Sequence, residues 1–181
     1  MLNEQQLIQA CRKGVKTAQY ELVRRYSGML MSVSRRYVSD TPTAKDVLQE
    51  SLLRIFKNID TYQNTGSFEA WMRTVTVRCA LNYLDKKYVR RETPTAEMYS
   101  EETSPPLALD NLGAEEIIDL VGKLPDGFRT VFNLNVIEGY SHREIGEILG
   151  ITDSASRSQL TRAKQMLRKM YTATQTQQKS A

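Results

Sequence analysis

Hydroxyl and guanidinium side chains recur at helical spacing near the end of this 181-residue chain: Ser154, Arg157, Ser158, Thr161 and Arg162. At 100° per residue, Ser154, Ser158, Thr161 and Gln165 point one way, flanked by Arg157, Arg162 and Arg168. Such a face has no nucleophile and no general base. Its chemistry is hydrogen bonding: short hydroxyls can approach base edges, and arginines can reach guanine or phosphate in a major groove.

The opposite stripe, Ser156, Leu160, Ala163 and Leu167, must face a core. Just upstream, Ser141 and Glu144 have capping-box spacing, which satisfies two orphan amides at a helix start. Ile145, Ile148 and Leu149 give that short helix one apolar face, and Gly150 is its expected left-handed stop. Thr152 can cap the next helix and places Asp153 in its first turn, where the dipole favours an acid. A short helix, a tight turn and a second, basic helix make a helix-turn-helix.

A second constellation lies at 41–59, "TPTAKDVLQESLLRIFKNI". Thr43 and Asp46 suggest a capped start after Pro42. Leu48, Leu52, Ile55 and Ile59 form one stripe, while Asp46, Gln49, Glu50 and Leu53 face away. Two acids, an amide and a leucine that no core needs suit docking of a basic, partly apolar helix. After the "YQNTGS" turn, Phe68, Trp71, Met72, Val75 and Cys79 cluster as core. Arg78, Asn82, Lys86, Lys87, Arg90 and Arg91 then give that helix a polar to basic flank that could hold a nucleic-acid strand.

Enzyme chemistry finds no support. The single histidine, His142, stands in the first turn of the helix-turn-helix with no ligand set around it, and no phosphate-cradling glycine loop appears. Cys11 and Cys79 are too far apart in sequence to form a redox or metal pair and fit a reducing compartment. No cofactor and no metal are expected. The start, "MLNEQQLIQACRKG", is too polar for a signal peptide, and no run approaches a membrane span of about 20 apolar residues. A soluble cytoplasmic protein is expected.

Charge is unevenly spread. Residues 1–91 hold 16 basic and 8 acidic residues, 92–113 hold five acids and no base, and the chain from Ser141 onward holds 7 basic and 3 acidic. Two basic blocks around an acidic strip suggest an anionic partner touched in two places. The strip "ETPTAEMYSEETSPPLALDNLG" reads as a flexible acidic linker. The expected fold is therefore all-α: a helical domain over 1–91, the linker over 92–113, a helix-turn-helix domain over 114–171 and a disordered tail over 172–181.

In "DVLQE" (46–50), "LLRIFKNI" (52–59), "SFEAWM" (67–72), "ALNYLDKK" (80–87), "LPDGFRTVFNL" (124–134), "IEGYSHREIGEILGI" (137–151) and "RSQLTRAKQMLRK" (157–169), the chain resembles the bacterial sigma factors of extracytoplasmic-function (ECF) type. The resemblance implies a specificity subunit of RNA polymerase, without catalysis of its own, whose partners are core polymerase, promoter DNA and an anti-sigma factor. It implies that Asp46, Gln49, Glu50 and Leu53 dock on the clamp coiled coil of the largest polymerase subunit. Asn64, Thr65 and Gly66 would capture an unpaired base of the −10 element, and Arg78, Asn82 and Lys86 would hold the melting duplex. Ser154, Arg157, Ser158, Thr161 and Arg162 would read the −35 element. The chain departs from the family at Arg78 and Asn82, where many relatives carry Asn and Asp, and at Ser156, where a β-branched apolar residue is usual. From residues alone, a stand-alone helix-turn-helix regulator and an RNA-binding or structural helical adaptor remain open.

Overall fold

A computed structural model describes residues 2–89 and 119–179, with side chains over 2–84 and 119–173. The expected linker, 92–113, lies outside the described residues, as do Arg90, Arg91 and the side chains of Lys86 and Lys87. The chain divides into two compact units, Met1–Glu92 and Thr93–Ala181. Every regular element described is helical.

The first unit is built from α1 (Glu4–Arg12), α2 (Lys16–Tyr37), α3 (Thr41–Asn58), a 3-10 turn (Ile59–Thr61) and α4 (Phe68–Val89). A capping box starts α1: the Gln6 amide donates to Asn3 Oδ1 over 2.8 Å, and the Asn3 amide donates to Gln6 Oε1 over 3.1 Å. Gly14, at φ 72°, supplies the left-handed turn into α2. Helices α2, α3 and α4 pack on one another and α1 packs on α2. Leu7, Leu22, Leu30, Ile55, Phe68 and Met72 close the core. Each side chain of that size contributes about 1.5–3 kcal/mol by burial. Because α4 touches both α2 and α3, it buries more than the expected stripe: Thr76, Val77, Ala80, Leu81 and Leu84 are buried as well.

Two local expectations for α3 need correction. Its cap is Asp40, whose carboxylate accepts from the Thr43 amide at 2.9 Å, and not the Thr43–Asp46 pair. Pro42 is tolerated in a first turn, where its missing donor would have had no partner, so the helix begins before it. The buried stripe is also rotated: Ala44, Val47, Ser51 and Ile55 are buried, while Leu48 and Leu52 pack at the edge of the core. With neighbours on two sides, the small residues occupy the close approach and the leucines fill the flanks.

In the second unit a helical segment is described over 119–122. It is followed by α5 (Asp126–Phe132) continuing as a π turn (Asn133–Ile137), α6 (His142–Leu149) and α7 (Asp153–Lys179). Arg129, only 2% exposed, ties the first two together. Its guanidinium donates to the carbonyls of Gly122 (3.0 Å) and Leu124 (3.1 Å) and pairs with the Asp126 carboxylate. A planar cationic fork thus serves carbonyls left without helical partners. Helix α7 packs on α5 and α6 through Ser156, Leu160, Ala163 and Leu167, the stripe expected from its spacing.

One expectation fails here. Ile145 is fully buried, but Ile148 is 41% exposed and Leu149 only partly covered. A helix of eight residues packed mainly on α7 buries a narrower stripe than i, i+3, i+4 counting suggests. Helix α7 is described as far as Lys179. The residues beyond 171 lack an apolar face but contain no proline or glycine to break the helix.

Candidate nucleic-acid interface

The helix-turn-helix forms through local chemistry. The Ser141 hydroxyl accepts from the Glu144 amide, and the Glu144 carboxylate accepts from the Ser141 amide at 2.8 Å. The Ser141 hydroxyl also donates to that carboxylate at 2.7 Å, and this bond first, then the amide's, holds the Glu144 carboxyl below the usual range. Gly150 closes α6 at φ 67° in the left-handed region, and the Thr152 hydroxyl accepts from the Ala155 amide at 3.0 Å to start α7. Gly146 has a role the sequence reading missed. A Cβ there would lie 2.7 Å from the Ile151 carbonyl oxygen, so only glycine lets the turn fold back on α6.

Of the five residues expected to read DNA from α7, Ser154, Arg157 and Ser158 are exposed, and Thr161 and Arg162 partly so. Arg157 is held by Asp153 one turn back through two bonds, Nε to Oδ1 at 2.7 Å and NH2 to Oδ2 at 3.0 Å. The Thr161 hydroxyl donates to the Arg157 carbonyl at 3.1 Å, leaving its lone pairs free to accept. Ser156 is fully buried and shares a 2.9 Å hydrogen bond with His142 Nδ1. The first helix of the motif is thereby tied to the second by a polar contact instead of an apolar one. His142 therefore has a specific partner, and burial above all keeps its pKa below the ordinary imidazole value.

In the first unit, Asp46, Gln49, Glu50 and Leu53 are exposed on α3, and Leu53 is 60% open. They lie at i, i+3, i+4 and i+7, one face of a helix. Glu50 is not a bare charge there, since Arg54 Nε donates to it at 2.7 Å. Asn64, Thr65 and Gly66 are exposed in the loop between the 3-10 turn and α4, with Asn64 at φ 56°. Asparagine is among the few residues that adopt this conformation readily. Arg78 and Asn82 are exposed one turn apart on α4, and Lys86 continues the same line at the backbone level. Trp71 stacks on Phe68 with centroids 5.6 Å apart, and Tyr62 leans on both rings. The tryptophan thus packs as expected. Sequence reasoning missed Tyr62, whose hydroxyl donates to the Gly66 carbonyl, and Arg12, which reaches the same region from α1. The Arg12 contact, 50 positions away in the chain, leaves no short-range signal.

The two thiols take no part. Cys11 and Cys79 are buried and unbridged, and burial pushes both up from the ordinary thiol value. Among the described residues no group of His, Cys, Asp and Glu could hold a metal, and no helix is long and apolar enough to cross a membrane.

Comparison with known proteins accounts for both units. Sigma-70 region 2 matches residues 22–90 and sigma-70 region 4 matches residues 114–167. The chain belongs to the sigma-70 family, whose members are specificity factors for transcription initiation and not catalysts. Within it, the chain is 28% identical to the ECF RNA polymerase sigma-E factor of Haemophilus influenzae, over 92% of this chain and 94% of that one. It is 29% identical to the ECF RNA polymerase sigma factor SigW of Bacillus subtilis, over 90% and 93%. The fold is that of the sigma factor RpoE from Bartonella quintana, solved in complex with the anti-sigma factor NepR. That likeness has a TM-score of 0.51 at 15% identity, over 84% of this chain and 96% of that one. The protein is thus an RNA polymerase sigma factor of ECF type that directs transcription initiation, with DNA-binding and polymerase-binding functions. A stand-alone regulator would leave the region 2 unit without a role. Helix α1 lies before both matched stretches.

Proposed function

We propose that the two units divide the work at residue level as follows. The outward face of α3, with Asp46, Gln49, Glu50 and Leu53, docks on the clamp coiled coil of the largest subunit of core polymerase. The 64–66 loop captures an unpaired −10 base while Arg78, Asn82 and Lys86 hold the strand. Ser154, Arg157, Ser158, Thr161 and Arg162 on α7 read the −35 element in the major groove. Residues 1–91 and 114–171 are the working domains, and 92–113 is the tether that lets them reach two promoter elements at once. The tether makes the second contact nearly intramolecular once the first is made. Unstacking each captured base costs a few kcal/mol, offset by the two DNA contacts together. The protein works in the cytoplasm, performs no catalysis of its own and takes no cofactor. An anti-sigma factor is its regulatory partner, as the complex of the Bartonella relative supports.

The observation that carries this reading is the α3 face: a 60% exposed leucine set among Asp46, Gln49 and Glu50 with no place in the core. Reversing Glu50 sets two like charges where a basic partner helix would sit. Run-off transcription with core polymerase and a cognate promoter is expected to fall at least about tenfold for Glu50→Lys, equivalent to about 1.4 kcal/mol. Full activity of that variant would overturn the docking assignment.

A further inference from the structure

The side chain of Arg12, at the end of α1, crosses to a segment nearly 50 residues away. Its Nε donates to the Ile59 carbonyl at 3.3 Å, its NH2 donates to the Tyr62 carbonyl, and Asp60 lies 3.9 Å from the same guanidinium. Ile59 closes the C-terminus of α3, where unpartnered carbonyls carry partial negative charge and attract a cation. The fork shape of the guanidinium lets one side chain serve two carbonyls, which an ammonium does less well.

The second anchor is Tyr62 itself. Its ring is 7% exposed and packed against Phe68 and Trp71, with centroids 5.1 and 5.7 Å away, and its hydroxyl donates to the Gly66 carbonyl. The loop is therefore fixed at both ends through one tyrosine: Arg12 grips the backbone at 62, and the ring carries that position to 66. Only three residues, 63–65, span the gap, and among them Asn64 holds a left-handed φ of 56°.

We infer that Arg12 is a positioning residue for DNA capture, which sets the 63–66 loop in the shape that receives an unpaired base before any DNA arrives. The inference rests on the proposed reading of that loop. A loop ordered in advance loses less freedom on binding, so the gain appears as affinity for single-stranded DNA. Helix α1, which lies outside the matched family regions, thereby acquires a function in promoter opening. The α3 docking face is not part of this linkage, because Asp46, Gln49, Glu50 and Leu53 point away from the core and make no contact with Arg12 among the bonds above.

The test uses the full chain bound to core polymerase. The probe is a single-stranded oligonucleotide carrying the −10 sequence, taken from a promoter mapped by transcription of fragmented genomic DNA. Fluorescence anisotropy reads affinity for the oligonucleotide, and a parallel titration reads affinity for core. Arg12→Ala is expected to weaken oligonucleotide binding about tenfold and to leave core affinity within twofold. Arg12→Lys, which can serve one carbonyl, should recover part of the loss, and Tyr62→Phe should weaken binding in the same direction. An Asn64→Ala, Thr65→Ala double variant tests the loop itself. If that double variant loses binding while Arg12→Ala keeps the parent affinity, the inference falls and the loop reading stands. If the double variant binds as the parent does, the loop reading falls and takes the inference with it. Equal losses of core and oligonucleotide affinity in Arg12→Ala would show a general folding role and also overturn the inference.

Discussion

The hydrogen bond between His142 Nδ1 and Ser156 Oγ joins the two helices of the DNA-binding motif across 14 positions of the chain. Replacing Ser156 by alanine removes the hydroxyl from a fully closed site and strands the imidazole nitrogen. A buried polar group that loses its partner costs about 1–3 kcal/mol, and His142, partly exposed, belongs near the lower end, about 1 kcal/mol. For a unit of this size that lowers Tm by about 4–8 °C. A double-mutant cycle with His142→Ala and Ser156→Ala isolates the pairwise energy, expected at about 1 kcal/mol.

The same site sets a pH dependence. His142 has its pKa lowered chiefly by burial, then by Arg157; Asp153 opposes the shift and Lys164 adds to it. The folded protein therefore prefers the neutral ring, and the unfolded chain takes up the proton first. The contribution is fully present above about pH 6.5, the value of a free imidazole, and is lost as pH falls through the lower folded value. Thermal unfolding of the parent should thus lose stability between pH 7 and 5 relative to His142→Gln. In Ser156→Ala the pH-dependent loss should persist, because burial and not the serine is its main cause. A coupling energy within about 0.3 kcal/mol of zero, or parallel pH profiles for parent and His142→Gln, would refute this account.

Gly146→Ala would force a methyl to within 2.7 Å of the Ile151 carbonyl, and should cost about 1–3 kcal/mol in thermal unfolding while weakening −35 duplex binding by the holoenzyme. Arg129→Ala would strip charged donors from the carbonyls of Gly122 and Leu124, and denaturant unfolding should show the second unit weakened by about 3 kcal/mol. A loss under 1 kcal/mol would show that water replaces the guanidinium.

What could be read from the residues depended on how far apart the interacting groups lie in the chain. The helix-turn-helix was legible because Ser141, Glu144, Gly150 and Thr152 each act within four residues, and such caps leave fixed spacings. The outward Leu53 was legible because one period of 3.6 residues separates core from surface. The start of α3 was misplaced because two capping patterns of the same spacing compete there; the Thr43 amide goes to Asp40, and its hydroxyl lies 3.4 Å from that of Tyr83 on α4. The rotation of the α3 stripe comes from its two neighbours, which periodicity within one helix cannot report. The His142–Ser156 tie spans 14 positions and the Arg12–Tyr62 contact spans 50, and neither leaves a local pattern.

The bidentate clasp of Asp153 on Arg157 bears on how a promoter is found. An arginine already matched with a carboxylate exchanges one partner for another when it meets a phosphate or a base, and an exposed pair of this kind sets a small cost on that exchange, about 0.3–0.5 kcal/mol. On the proposed reading of α7, discrimination between sites would then depend on what Arg157 gives up as well as on what it gains.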